Sequence, residues 1–194
     1  MYGPGDVGFF DRIARLYDLG MPAADRDALF DGLSRAERPV RHVLDVGGGS
    51  GRAAVALDAP DQQVTVVDVS RGMLARARER GLGCVRGDAR RLPVADESVD
   101  AVTVVDALHH MPEQRTVLAD AERVLKPGGV LVVREFDPAH PLGRVVEWTE
   151  GVARMNSLFT GPDDLARAVD AAGLAPRVLD RGFGYTVVGI KTGE

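Results

Sequence analysis

The stretch Val43 to Arg52, V-L-D-V-G-G-G-S-G-R, constrains this chain more than any other. Val43, Leu44 and Val46 form an apolar run that carries one acid, Asp45, and gives way to Gly47, Gly48, Gly49 and Gly51. Such a run is a buried strand ending in a glycine-rich turn, with a helix starting near Arg52. Glycine suits the turn because the backbone visits angles closed to side chains, and because a missing Cβ lets a ligand lie against the main chain. A dinucleotide fingerprint would put glycines at the first, third and sixth places of the loop. Counted from Gly47 and Gly49, the last of these falls on Arg52, so the fingerprint fails. What stands instead is an acid and then glycine at every second place: Asp45, Gly47, Gly49, Gly51. A carboxylate beside a glycine turn suits a ligand with a positive end better than a pyrophosphate.

Strand and helix patterns alternate along the rest of the chain. After a glycine-rich start, Phe9, Phe10, Ile13, Leu16 and Tyr17 share one helical face, and a second helix is expected over Ala24 to Ala36. These two helices either pack on the sheet edge or cover the ligand. Helix Arg52 to Leu57 leads to a β-branched strand, Val64 to Val69, whose Asp68 stands beside the glycine turn, where it can accept hydrogen bonds from both hydroxyls of a ribose. Ser70 caps the next helix, Arg71 to Arg80. A short strand at Gly83 to Arg86 carries Cys84, read as a buried thiol, and precedes G-D-A-R-R-L-P. Ser98 to Val105 is nearly all apolar, a strand buried on both faces, and runs into D-A-L-H-H-M-P. In a doubly wound sheet, ligands sit beyond the carboxyl ends of the strands where strand order reverses, between the first and fourth strands here. Asp106, His109 and His110 therefore stand beside the ligand.

Neither histidine makes a metal site, because successive side chains diverge and no third ligand follows at zinc spacing. General base, substrate hydrogen bond and support remain open to them. A helix is expected over Glu113 to Leu125, and Arg123 to Phe136 reads as a helix end, a Pro-Gly-Gly turn and a fifth strand. Val145 to Leu158 reads as a helix bearing Trp148 and Met155, which with Phe159 either line an apolar pocket or simply pack. Asp163 and Asp164 open a helix over Gly161 to Ala172, and strands Ala175 to Arg181 and Tyr185 to Lys191 close the chain as a hairpin.

The acid and glycine alternation at Asp45 to Gly51 resembles the first motif of the class I S-adenosylmethionine-dependent methyltransferases. D-V-S-R-G-M-L, from Asp68, resembles their second motif, and G-D-A-R-R-L-P, from Gly87, their third. The segment Phe10 to Asp18 and the run Arg123 to Phe136 are similar to the ubiquinone and menaquinone C-methyltransferases. The resemblance covers nearly the whole chain. It implies an α/β fold, a doubly wound, Rossmann-like sheet of seven strands, mostly parallel with an antiparallel C-terminal strand. It implies one methyltransferase domain over residues 1–194, with a helical cap (1–38), a cofactor-binding core (39–136) and a substrate side (137–194). S-adenosylmethionine is the cofactor it implies, with Tyr17, Asp45, Val46, Gly47, Gly49, Asp68, Val69, Met73, Asp88, Ala89 and Asp106 around it. Asp45 and the Gly47 to Gly49 backbone would hold the methionine end, Asp68 the ribose and Asp88 the adenine. His109 or His110 would face the methyl acceptor. Where the quinone enzymes carry Arg-Asn after the fourth strand, His109-His110 stands here, so the acceptor expected is a small molecule of unassigned class.

Composition narrows the partners. With 45% hydrophobic and 27% charged residues and a net charge of -5, the chain lacks the basic clustering of a nucleic-acid footprint. No apolar run approaches the roughly 20 residues of a membrane helix, and no secretory signal is visible, so a cytoplasmic protein is expected. One cysteine excludes an internal disulfide. Monomer and homodimer stay open. Two other readings share Asp68 or the binding loop: an NAD-linked oxidoreductase, which lacks its glycine spacing, and a catalytically silent cofactor-binding subunit.

Overall fold

The computed structural model describes residues 23–144 and 157–193. In β1 (His42–Val46), Val43 turns to one face of the sheet while Leu44 and Val46 turn to the other, and both faces need a cover. Strands β2 (Gln63–Asp68), β3 (Gly83–Arg86), β4 (Val99–Val105), β5 (Leu125–Phe136), β6 (Ala175–Asp180) and β7 (Gly184–Ile190) join it in the order β3-β2-β1-β4-β5-β7-β6. The strands from β3 to β5 pair in parallel, and β7 runs antiparallel to both β5 and β6. This is the expected seven-stranded, Rossmann-like α/β sheet.

Helices α1 (Arg26–Leu33), α2 (Arg52–Ala56) and α3 (Arg71–Glu79) cover the face that carries Val43, Val66, Ala101 and Val132. Helices α4 (Gln114–Val124) and α5 (Pro162–Ala171) cover the face of Leu44, Val102, Leu131 and Val133. All seven residues of β4 are buried as a result, which explains its largely apolar sequence, broken by Asp100 and Thr103. Ser70 caps α3 by accepting from the Met73 N–H at 3.1 Å, as expected.

Three expectations change. Cys84 is half-buried rather than buried, because β3 is an edge strand, and its Sγ donates to the Leu82 carbonyl. The Pro-Gly-Gly segment is no free turn but part of β5, where the register against β4 shifts between Val99 and Ala101. Ala24 to Ala36 is helical only over Arg26–Leu33. The helix with Phe9, Phe10 and Tyr17, and the segment with Trp148 and Met155, lie outside the described residues.

The amino end of the sheet is tied by Asp100, 4% exposed at its side chain. It accepts from the N–H groups of Arg41 (3.1 Å) and His42 (2.9 Å) and from the Lys126 ammonium (2.9 Å), with Arg38 beside it. Burial alone would raise its pKa, but the bonds from His42, Lys126 and Arg41 outweigh burial and bring it down to about 2. A carboxylate depressed in the fold stabilises above its unfolded pKa, and that share is lost as pH falls through about 2. Asp100→Asn is expected to lower stability by about 2 kcal/mol at pH 7, the gap closing between pH ~4 and ~2, as read by urea unfolding across that range.

Candidate functional site

At the carboxyl ends of β1, β2 and β4 the loops line a cavity that opens to solvent. The loop after β1 supplies its floor. A Cβ on Gly48 would lie 2.2 Å from Asp45 Oδ2, so only glycine lets the loop close over that carboxylate. Gly49 has φ +56°, and the side where its Cβ would stand holds no neighbour nearer than Met73 Sδ at 3.9 Å. The main chain is left bare toward the cavity.

Asp68, at the end of β2, holds that loop in place. Its Oδ2 accepts from the Gly49 N–H at 3.0 Å and its Oδ1 from the Ser70 N–H at 2.8 Å, while the carboxylate remains on the cavity wall. Val69, Met73 and Ala89 continue the same wall. Across it stands Asp106, the residue after β4, in the left-handed region at φ +49° with its N–H on the Arg134 carbonyl. Its Oδ2 lies 3.4 Å from the Arg52 guanidinium, which also faces the cavity. Burial pushes the Asp106 carboxyl up and the Glu135 charge pushes it further, against Arg52 and His109.

Asp45 is different. It is fully buried, lies under the loop rather than on the cavity wall, and binds Thr103, its cross-strand partner on β4, whose hydroxyl donates at 2.9 Å. Asp45 belongs to the strand, so its side chain follows the two-residue alternation into the α1–α3 face instead of reaching past the strand end. In this geometry it presents no face to the cavity. Its second oxygen has no hydrogen-bond partner among the described residues. Burial pushes its pKa up to about 6, and the Asp68 charge adds to this while the Thr103 bond opposes it. Val46 is buried too and off the cavity wall.

Asp88 also departs from expectation. Its carboxylate is held by Arg90, two residues on, through Nη2 at 2.7 Å and Nε at 3.1 Å, and it does not line the cavity. Arg90 lowers its pKa. The aspartate expected at the adenine is thus committed to an arginine that continues to Glu113 at 2.6 Å.

The two histidines follow one another on the single 3₁₀ turn Leu108–His110, their ring centroids 4.0 Å apart, and face different partners. His110 lines the cavity, with Nδ1 3.3 Å from the Ser157 hydroxyl. His109 is buried behind it, stacked on Phe159 at 4.5 Å, with Nδ1 2.6 Å from Glu135 Oε2. Glu135 Oε1 meanwhile accepts from the N–H groups of Leu108 (2.7 Å), Ala107 (3.2 Å) and His109 (3.3 Å). Tyr17 lies outside the described residues. Among the described residues, no group of three His, Cys, Asp or Glu could hold a metal ion.

The methyltransferase domain family matches residues 44–133, the span from β1 through most of β5. A demethylmenaquinone methyltransferase of Beutenbergia cavernae is 41% identical over 143 residues, covering 69% of this chain and 59% of that protein. A ubiquinone/menaquinone biosynthesis C-methyltransferase of Paracoccus denitrificans is 39% identical over 146 residues, covering 66% and 58%. The chain thus spans about three fifths of the length of these two relatives. The chain belongs to the class I S-adenosylmethionine-dependent methyltransferases. A solved Thermotoga maritima S-adenosylmethionine-dependent methyltransferase superposes on this family member with a TM-score of 0.79 at 25% identity, covering 95% of this chain and 99% of the other.

Within this methyltransferase domain, two site residues escape motif reading. Glu135 stands near the end of β5 after an apolar run, and a carboxylate ending such a run is the one signal that it is buried and bonded. Arg52 sits where a dinucleotide loop would have its third glycine, and its side chain takes up cavity wall that such a loop leaves open.

Asp45 yields a pH-dependent expectation. Its folded pKa of about 6 lies above the unfolded value, so the stability it contributes is present below pH ~4 and lost as pH rises through 6. Asp45→Asn is expected to melt above the parent at pH 8, by up to about 3 kcal/mol, and to show no advantage at pH 4 in thermal unfolding followed by circular dichroism.

Proposed function

We propose that this chain binds S-adenosylmethionine in the cavity beyond β1, β2 and β4 and transfers its methyl group to a small-molecule acceptor. The observation that carries the reading is Asp68: a carboxylate fixed by two backbone N–H groups on the wall of the cavity beside the glycine loop. The bare backbone at Gly49 fits a ligand lying against the loop, and Met73, Val69 and Ala89 offer an apolar slot for a base. Asp88 has no part in that slot, so adenine recognition falls to backbone and apolar contact around Ala89. The bound group supplies an electrophilic methyl, given up from sulfur as the acceptor forms its new bond.

The chain's own residues then position and deprotonate. Alignment and exclusion of water supply most of the acceleration, since the leaving group is already good. His110 is the histidine on the wall and takes the proton of the acceptor, while Ser157 orients its ring. His109 has no direct contact with the acceptor. With Glu135 it shapes the turn that presents His110. Two relatives bear quinone-pathway names, and a quinol fits a base-assisted transfer, so reduced quinones and simple phenols are the first acceptors to test.

Asp68→Ala is expected to weaken S-adenosylhomocysteine at least about 100-fold by calorimetry, from two lost hydroxyl–carboxylate bonds. Near-normal affinity would remove the ribose assignment. With labelled methyl donor and a panel of quinols, phenols and amines, His110→Ala is expected to slow transfer roughly 100-fold or more without changing cofactor affinity. His109→Ala should instead destabilise the fold by about 3 kcal/mol, because it leaves the buried Glu135 carboxylate short of a partner. Unchanged turnover in His110→Ala would end its role as the base.

A further inference from the structure

Residues 157–160 have no regular structure, yet they lie on the histidine turn at several points. Ser157 meets His110 Nδ1 at 3.3 Å, the Leu158 N–H donates to the His109 carbonyl at 2.7 Å, and Phe159 stacks on the His109 ring at 4.5 Å. A segment without helix or strand must find partners for its main chain elsewhere, and this one finds them on the turn, on β7 and on α4. From β7, the Tyr185 hydroxyl donates to the Thr160 carbonyl. From α4, Gln114 donates through Nε2 to the Leu158 carbonyl at 2.8 Å and, with the same nitrogen, to the Leu108 carbonyl at 3.0 Å. Its Oε1 accepts from the Thr160 hydroxyl at 3.2 Å. Two carbonyls on one side and a hydroxyl on the other fix which way the amide points. One side chain therefore ties the turn that carries His110 to a segment 44 residues further along the chain. Its starting point is held as well: Glu113, just before it, has a left-handed backbone at φ +55° and takes Arg90 Nη1 at 2.6 Å.

We propose that Gln114 is a positioning residue for the methyl transfer: it seats residues 157–160 on the histidine turn, so that Ser157 keeps the His110 ring in one orientation on the cavity wall. This rests on the methyltransferase reading of the cavity and on His110 as the base within it. Gln114 is not among the residues that line the cavity, so it acts through His110. A hydroxyl at 3.3 Å is a long hydrogen bond and holds an imidazole only as well as the hydroxyl itself is held. That hold comes from the next residue, since Leu158 is gripped at its N–H by His109 and at its carbonyl by Gln114. A base must stand within roughly 3 Å of the proton it takes, and a misplacement of about 1 Å can cost on the order of 100-fold in rate. The Gln114 amide is where that precision enters the acceptor side of the cavity.

Gln114→Glu separates hydrogen bonding from packing, because it keeps the side-chain volume but turns an oxygen toward two carbonyls. With labelled methyl donor and the same panel of quinols, phenols and amines, it is expected to slow transfer at least about tenfold, while S-adenosylhomocysteine affinity stays within about twofold by calorimetry. In a His110→Ala background, Gln114→Glu is expected to slow transfer no further, since its effect passes through that ring. A second readout needs no acceptor: in ring NMR of the four histidines, Gln114→Glu should move the His110 signals and leave those of His42 and His140 in place. Ser157→Ala, which spares Gln114 and the main chain of the segment, should move the His110 signals too. Parent-like transfer in folded Gln114→Glu, or a further loss on top of His110→Ala, overturns the positioning role. His110 signals unchanged in Ser157→Ala overturn it as well, even should Gln114→Glu not fold. A parent that fails to bind S-adenosylhomocysteine overturns the cofactor reading instead, and the histidine spectra still report whether Gln114 holds His110.

Discussion

A carboxylate on one strand bonded to the backbone N–H groups of the loop leaving the next strand is the interaction on which this site depends. Asp68 on β2 does this for the glycine loop beyond β1 through Gly49, and Glu135 on β5 does it for the turn beyond β4 through Ala107, Leu108 and His109. Loops of this kind expose several donors to a half-dry cavity, where an unmet N–H is costly. A charged acceptor is worth roughly 1.5–3 kcal/mol for each such bond, enough to set the loop conformation before any ligand arrives. The cavity is therefore held open by the sheet itself, and a ligand spends little of its binding energy on ordering it.

The acids around the cavity differ in reach because of where each strand stops. Asp45 lies inside β1 and obeys its alternation, so it is swallowed. Asp68 is the last residue of β2, and Asp106 comes one residue after β4 on a left-handed backbone, so both project to the wall. Asp45, Asp68, Asp106 and Glu135 crowd negative charge into one end of the sheet. Its effect is visible in the raised Asp45 and Asp106 carboxyls, with Arg52 opposing it at both.

Much of this was legible before folding was considered. The strand with Asp68 at its end, the Ser70 cap, the all-buried β4 and the closing hairpin follow from alternation, capping chemistry and apolar runs. Ion pairing was not legible: nothing in G-D-A-R-R says that Arg90 rather than a ligand takes Asp88. His109 and His110 look equivalent as letters, and only the folded turn sends one inward to Glu135 and one to the cavity. Arg52 read as a missing glycine, when its side chain is itself part of the wall. The direction of a side chain and its competing partners are three-dimensional facts that a motif records only as identity.

One guanidinium links parts of the chain that are far apart in sequence. Arg134 on β5 reaches Asp25, the cap of α1, at 2.9 Å with one nitrogen, and Asp180 at 3.1 Å and Thr186 at 3.0 Å with the other. Ala24, beside that cap, borders the cavity, and the Arg134 carbonyl receives the Asp106 N–H. The rim of the pocket and the late hairpin are thus mechanically one piece. Loosening β6 or β7 would be felt at the pocket's entrance, and grafting this pocket onto a shorter scaffold would have to bring the hairpin with it.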